Sequence, residues 1–107
     1  MPTRAPQVSV VVPTFNRLDR LKHVIFALEQ QQFPRDAYEI IVISDGSSDG
    51  TDDYLEQLQS DKIVRSFSQA NRGPAAARNV GIKRATGEFV VFIDDDVVAE
   101  PTLLAEH

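Results

Sequence analysis

Along the 107-residue chain, apolar positions recur with two different spacings. "VSVVVP" (Val8 to Pro13) is almost continuously apolar, as expected of a strand covered on both faces, and "YEIIVISDG" reads as a second strand that ends in aspartate. "EFVVFIDDD" reads as a last strand that also ends in aspartate, whereas "KIVRSFSQ" alternates Ile63 and Phe67 with polar residues and predicts a less buried strand. Between the first two runs Leu18, Leu21, Val24, Ile25 and Leu28 recur at helical spacing. Asn16 stands where the N-cap of that helix belongs, with Asp19 three residues later, and the helix is expected to stop near Phe33-Pro34. A second, short helix is expected in "SSDGTDDYLEQL", capped by Ser48 or Asp49, with Asp52 and Asp53 at the positive end of its dipole. The third opens at Gly73-Pro74, with proline at the favoured first position, and runs through "AAARNVGIKRA" to Gly87. Its alanines and Gly81 permit a close approach to a sheet. Alternation of strand and helix predicts an α/β fold with a mostly parallel sheet flanked by helices.

Composition narrows the classes. The length fits one domain, and 42% hydrophobic content is ordinary for a soluble globular protein. A net charge of -5 argues against a general affinity for nucleic acid or anionic membranes, so any phosphate must be held locally. Without cysteine there are no disulfides and no thiolate metal sites. The amino-terminal "MPTRAPQVSV" lacks the apolar stretch of a secretory signal. The longest apolar runs, at Val10 to Val12 and Phe89 to Ile93, fall far short of the ~20 residues of a membrane-spanning helix. The expected location is cytoplasmic, with peripheral attachment of a full-length protein to a membrane as an option. Neither internal repeats nor linkers interrupt the pattern, and "EQQQ" reads as solvated helix surface. After Asp96 only "VVAEPTLLAEH" follows, which suggests a domain truncated after the last strand.

In a parallel sheet all carboxyl ends of the strands lie on one edge, where ligands bind. The strand-end segments "PTFNR", "SDGSSDG", "SQANRGP" and "DDD" form one polar rim on that reading. No glycine occurs in the first strand-to-helix turn and no G-x-x-x-x-G-K-[ST] is present, which disfavours a dinucleotide dehydrogenase or a P-loop enzyme. The three consecutive carboxylates Asp94, Asp95 and Asp96 need relief of their charge. At an effective dielectric of ~20, two like charges ~4 Å apart repel by about 4 kcal/mol. Solvent relieves them in an open turn; a hard cation such as Mg²⁺ or Mn²⁺ relieves them while leaving positions for phosphate and water. On an extended strand Asp94 and Asp96 share one side and Asp95 faces away. A metal contacted by Asp96, with a second group hydrogen-bonded through Asp94 or Asp95, is workable on that geometry.

"VSVVVPTFNR", "EIIVISDGSSDGT", "NRGPAAARNVGI" and "GEFVVFIDDD", in this order, resemble the nucleotide-sugar-binding half of family 2 glycosyltransferases, whose Rossmann-like fold is called GT-A. The resemblance runs from Val8 to Leu104 and treats residues 1–107 as one donor-binding part without the acceptor-binding half. It implies that Pro13, Thr14 and Phe15 line a base and ribose pocket, with Asn16 and Arg17 at its lip, and that Asp45 hydrogen-bonds uracil or ribose. The alternative for Asp45, beside Gly46 and Ser47, is a turn-stabilising role. Gly73 and Arg78, with Asn79, match the family's donor-approaching helix, and Arg78 could meet donor phosphate or an aspartate of the trio. Asn71 and Arg72 are expected to shape the loop. Asp94 to Asp96 fit the D-x-D signature, with Asp96 and Asp94 assigned to a divalent metal and Asp94 and Asp95 also to the donor.

The activity so implied is transfer of a sugar, with inversion, from a nucleoside-diphosphate sugar, most often a UDP-sugar, to a saccharide, lipid or other hydroxyl acceptor. The family's general base lies beyond the D-x-D strand, so none is assigned. Two alternatives stay open: a donor-binding module without turnover, and a haloacid-dehalogenase-type phosphatase with "DDD" as nucleophile motif. His23 and His107 read as surface residues, and Phe26, Phe33 and Phe67 as packing residues. Apolar surface left uncovered would favour self-association.

Overall fold

The computed structural model describes residues 7–30, 37–58 and 64–93. Seven elements alternate in order: β1 (Val8–Thr14), α1 (Leu18–Glu29), β2 (Tyr38–Asp45), α2 (Thr51–Leu58), β3 (Val64–Gln69), α3 (Pro74–Arg84) and β4 (Phe89–Phe92). The strands form one sheet in the order β3-β2-β1-β4, and every pairing is parallel. β1 and β2 are central, which explains why their sequences are apolar at nearly every position.

Side-chain alternation sends two hydrophobic sets to opposite faces. Val8, Val10, Val12, Tyr38, Ile40 and Val42 pack with Leu21, Val24, Ile25 and Leu28 of α1 and Leu55 of α2. Val11, Ile41 and Ile43 pack instead under Ala77 of α3. Small residues let α3 come close: a Cβ on Gly81 would collide with Val11 Cγ1. β3 is an edge strand, buried at Val64 and half-exposed for most of the rest, as its alternating sequence predicts.

Four expectations need correction. α1 has Arg17, not Asn16, at its N-cap, and no side chain of its own caps it. α3 ends at Arg84 rather than Gly87, because Ala85 is extended and the Thr86 N–H and hydroxyl both donate to Glu39 Oε2. Phe26 is 56% exposed, since it falls outside the Leu21–Val24–Ile25–Leu28 stripe that faces the sheet. Phe67 is half-buried, with the guanidinium carbons of Arg84 and Arg65 4.8 and 5.5 Å from its ring centre. His23 is exposed, as expected, with Nδ1 2.8 Å from the Asp19 carbonyl. α1 ends at Glu29 with Gln30 as its C-cap, about a turn ahead of the stop expected near Phe33-Pro34; Phe33, Pro34, Ile63, Asp94, Asp95, Asp96 and His107 themselves lie outside the described residues.

The chain steps outward from β1 to β2 to β3, then returns across the sheet through α3 to β4 on the other side of β1. β1 and β4 therefore flank the point where strand order reverses, the place where sheets of this kind bind ligands outside their carboxyl ends.

Candidate functional site

At that carboxyl edge a cleft of about 470 Å³ opens between the β1–α1 turn and the start of α3. Its volume falls in the range of roughly 300–1,000 Å³ common for small-ligand sites. Pro13, Thr14, Phe15 and Arg17 form one wall, Asp45 the floor from the end of β2, and Asn71, Gly73, Pro74, Ala77 and Arg78 the other wall. Seven of the residues singled out from sequence, Pro13, Thr14, Phe15, Arg17, Asp45, Gly73 and Arg78, thus share one cavity. Asn71, Pro74 and Ala77 complete it; Asn71 was expected only to shape the loop. Pro74 and Ala77 carried a helix signal alone, and their place in the wall follows from α3 lying over β1 and β2.

Asp45 lies on the α3 face of β2 and is only 5% exposed. Its Oδ1 accepts Gln69 Nε2 and the Arg72 N–H, each at 2.8 Å, and its Oδ2 accepts the Gly73 N–H at 2.9 Å. Burial pushes the carboxyl pKa up, but the bonds from Gln69, Arg72 and Gly73 outweigh it and hold the group below the usual carboxylate range. The turn that Asp45 stabilises is therefore the β3–α3 loop across the sheet rather than its own. A carboxylate offers about four lone-pair sites, so these three donors leave capacity on Oδ2 for a group in the cleft.

Gly73, at φ 95°, makes the turn from that loop into α3, and Pro74 occupies the first helical position. Few L-residues adopt such a φ cheaply, which is why glycine sits there. α3 has no acidic residue in its first turn, unlike α1 with Asp19 and α2 with Asp52 and Asp53. The negative charge at its positive end comes instead from Asp45, whose Oδ2 accepts the N–H of its N-cap residue Gly73. Arg78, one turn into α3, is exposed on the cleft wall.

Asn16 does not join the lining of this cleft. It adopts a left-handed φ of 50° and turns its carboxamide toward the β2–α2 loop, where Oδ1 accepts the Ser48 N–H at 2.7 Å. The Asn16 N–H donates to Ser47 Oγ at 3.1 Å. The cap that α1 lacks locally comes from Asp49, whose Oδ2 accepts the Leu18 N–H at 3.0 Å. Oδ1 of the same carboxylate accepts the Thr51 N–H and hydroxyl at the start of α2. The sequence signals the second role of Asp49 by its nearness to α2; the first depends on a partner 31 positions away.

Among the described residues no group of three or more His, Cys, Asp or Glu side chains is placed to hold a metal. Ile93, the last described residue, donates its N–H to the Val11 carbonyl at 3.0 Å, and Asp94 follows it directly in sequence. No helix of the described residues is long and apolar enough to cross a membrane.

Comparison with known proteins extends these observations. Residues 9–107 match the model of "Glycosyl transferase family 2". A GalNAc(5)-diNAcBac-PP-undecaprenol beta-1,3-glucosyltransferase of Campylobacter jejuni is 44% identical over 94 residues, covering 85% of this chain and 30% of that protein. S. aureus TarS, solved in complex with UDP-GlcNAc, superposes with a TM-score of 0.86 at 32% identity over 94% of this chain and 29% of its own. A mannosyltransferase from Pyrobaculum calidifontis, solved with GDP-Man and Mn2+, gives a TM-score of 0.78 at 32% identity over 88% of this chain and 28% of its own. The chain thus spans less than a third of the length of each of these proteins. The parallel α/β sheet is that of a GT-A fold, and the chain belongs to glycosyl transferase family 2.

Proposed function

We propose that this chain is the donor-binding part of an enzyme that transfers a sugar, with inversion, from a nucleoside-diphosphate sugar, UDP-linked by preference, to a hydroxyl acceptor. The observation that carries the reading is the single cleft in which Asp45, the Pro13–Thr14–Phe15 wall and the acid-free start of α3 meet. Pro13, Thr14 and Phe15 supply apolar and hydroxyl surface for base and ribose, and Asp45 Oδ2 accepts from an imide N–H or a sugar hydroxyl. Arg17, Arg78 and the amino end of α3 lie on the side where negative charge is favoured, suited to a diphosphate. The likeness to a protein solved with UDP-GlcNAc supports a uridine donor.

A divalent cation belongs to the proposal. Asp96 and Asp94 would hold it, with Asp95 left to the donor; hard carboxylate oxygens suit Mg²⁺ or Mn²⁺, and a family relative is solved with Mn2+. When bound, the cation stabilises negative charge on the leaving diphosphate. The chain's own residues bind the nucleotide, orient it against Asp45 and keep the diphosphate at the α3 end of the cleft.

Binding without turnover is the favoured behaviour of the chain by itself. Asp45 is the one carboxylate on the cleft lining among the described residues, and its three donors keep it ionised and engaged, unsuited to taking a proton from an acceptor hydroxyl. The family match removes the phosphatase alternative. Calorimetric titration of UDP, GDP and ADP with and without Mn²⁺, with donor hydrolysis followed in parallel, tests the whole reading. UDP binding strengthened by Mn²⁺ is expected, weakened about tenfold or more in Asp45→Ala, a loss of about 1.4 kcal/mol or more. In Asp96→Ala the response to Mn²⁺ should disappear. No binding of any nucleoside diphosphate would sink the proposal.

A further inference from the structure

The β1–α1 turn consists of Phe15, Asn16 and Arg17, and it is tied to the β2–α2 loop at both ends. Asn16 exchanges hydrogen bonds with Ser47 and Ser48, and the next amide but one, Leu18 N–H, is held by Asp49. The residues on either side of Asn16 are the two that line the cleft, Phe15 and Arg17. Asn16 itself has the left-handed backbone that reverses the chain between them. A non-glycine residue holds that conformation only where local bonds stabilise it, and asparagine and aspartate do so most readily. Phe15 is 44% exposed, so little packing against the core fixes its side chain.

The geometry points to Asn16 and Asp49 as positioning residues: together they clasp the β1–α1 turn onto the β2–α2 loop and so set Phe15 and Arg17 in the donor cleft without touching the donor. This role rests on the donor-site reading above. It also gives the β2–α2 segment two tasks, with Asp45 serving the cleft and Asp49 serving its opposite wall through α1. The Asp49 carboxyl is held below the usual carboxylate range, foremost by the Thr51 hydroxyl, against the effect of burial, and further by the Leu18 and Thr51 N–H groups. It therefore stays a full acceptor for both helices near neutral pH. Ligand sites whose walls are ordered before binding lose less free energy to ordering when the ligand arrives.

The test compares UDP titrations, with Mn²⁺ present, on the unaltered chain and on Asn16→Ala, Asn16→Gly, Asn16→Asp, Asp49→Ala and Asp45→Ala, alongside amide ¹⁵N relaxation of Phe15 to Leu18 without ligand. Asn16→Ala and Asp49→Ala should weaken UDP binding by about tenfold while circular dichroism shows the fold intact. Asn16→Asp keeps both the acceptor oxygen and the tolerance for left-handed backbone, and should bind within about threefold of the unaltered chain. Asn16→Gly keeps the backbone without strain but loses the acceptor, so it should fold, bind weakly and show raised mobility of the turn. A purely structural role would lower melting temperatures and leave affinity unmoved in every folded variant, which would overturn the proposal. UDP binding abolished by Asp45→Ala but unchanged in Asn16→Ala and Asn16→Gly overturns the clasp alone. Absence of UDP binding by the unaltered chain withdraws the donor-site reading and the positioning role with it.

Discussion

Glu39 and Asp45 stand at opposite ends of β2 on the same face, and each is buried under a set of hydrogen-bond donors. Glu39 accepts from Ser9 Oγ at 2.6 Å, from Arg65 Nη1 at 3.0 Å and from the Thr86 N–H and hydroxyl at 2.9 Å each. Burial pushes its pKa up, but these donors, Ser9 foremost, hold it below the usual range. Ser9 lies early in β1, Arg65 early in β3 and Thr86 in the segment before β4, so one carboxylate on β2 ties β1, β3 and the approach to β4 together at the edge away from the cleft. The unfolded chain binds its proton at higher pH than the folded one. The stabilisation is therefore complete above the ordinary carboxylate pKa, about 4, and is lost as pH falls through the lower folded value. Glu39→Gln should cost about 2 kcal/mol at neutral pH, because its amide presents a donor where the site supplies only donors. Urea unfolding followed by circular dichroism measures this; the gap from the unaltered chain should narrow below about pH 4, and a gap independent of pH would refute the assignment.

At the scale of elements, α3 is the one whose packing depends on having no side chain. Gly81→Ala should raise intrinsic helix propensity by about 1 kcal/mol, yet the added methyl has Val11 directly in its way. Val11 is fully buried and β-branched, with no flexible end to move aside. Net destabilisation of about 1–3 kcal/mol is expected, with α3 lifted from β1 and the cleft wall at Ala77 and Arg78 shifted with it. Adding Val11→Ala should restore part of the loss if the collision is the cause, and a double-mutant cycle in thermal unfolding reads that coupling. The strands and the start of α3 were legible because their signals are local: nearly continuous apolar runs in β1 and β2, and Gly73-Pro74 before a helix. The cap of α1 was not. Asn16 carries the right chemistry for an N-cap, but its carboxamide goes to Ser48, and the cap is Asp49 from another loop. The same holds for Asp45, whose donors sit on β3 and the loop after it; sequence shows a carboxylate at a strand end but not that Gln69, Arg72 and Gly73 converge on it. The aspartate trio, assigned to a metal from sequence with the family resemblance, falls after Ile93, outside the described residues, and its role stays part of the proposal.

For the molecule as a whole, the two sheet edges differ in chemistry. β3 presents Arg65, Ser66, Ser68 and Gln69, the charged and polar side chains that blunt an edge against further pairing. β4, "FVVF", has β1 on one side and no strand on the other among the described residues. Phe89 pairs with Val8 and points to the α1 face; Phe92 pairs with Val11 and points to the α3 face. They are 63% and 45% exposed, and Val90 beside Phe92 is 37% exposed. An edge of this kind offers unpaired backbone groups flanked by apolar side chains on both faces, so a second copy can gain hydrogen bonds and apolar burial at once. The simplest closed arrangement sets β4 against β4 antiparallel about a twofold axis, which extends the sheet and covers both copies equally. Sedimentation of the 107-residue chain should therefore depend on concentration, with a dimer gaining over the monomer as concentration rises. Phe92→Lys should shift the chain to monomer, since it sets a charge among the apolar side chains that the pairing would cover, while Ile82→Lys on exposed α3 should leave association nearly unchanged. A chain that stays monomeric at every concentration and melts in one sharp transition would show that β4 is protected by other means, and Phe92→Lys would then alter nothing in its sedimentation.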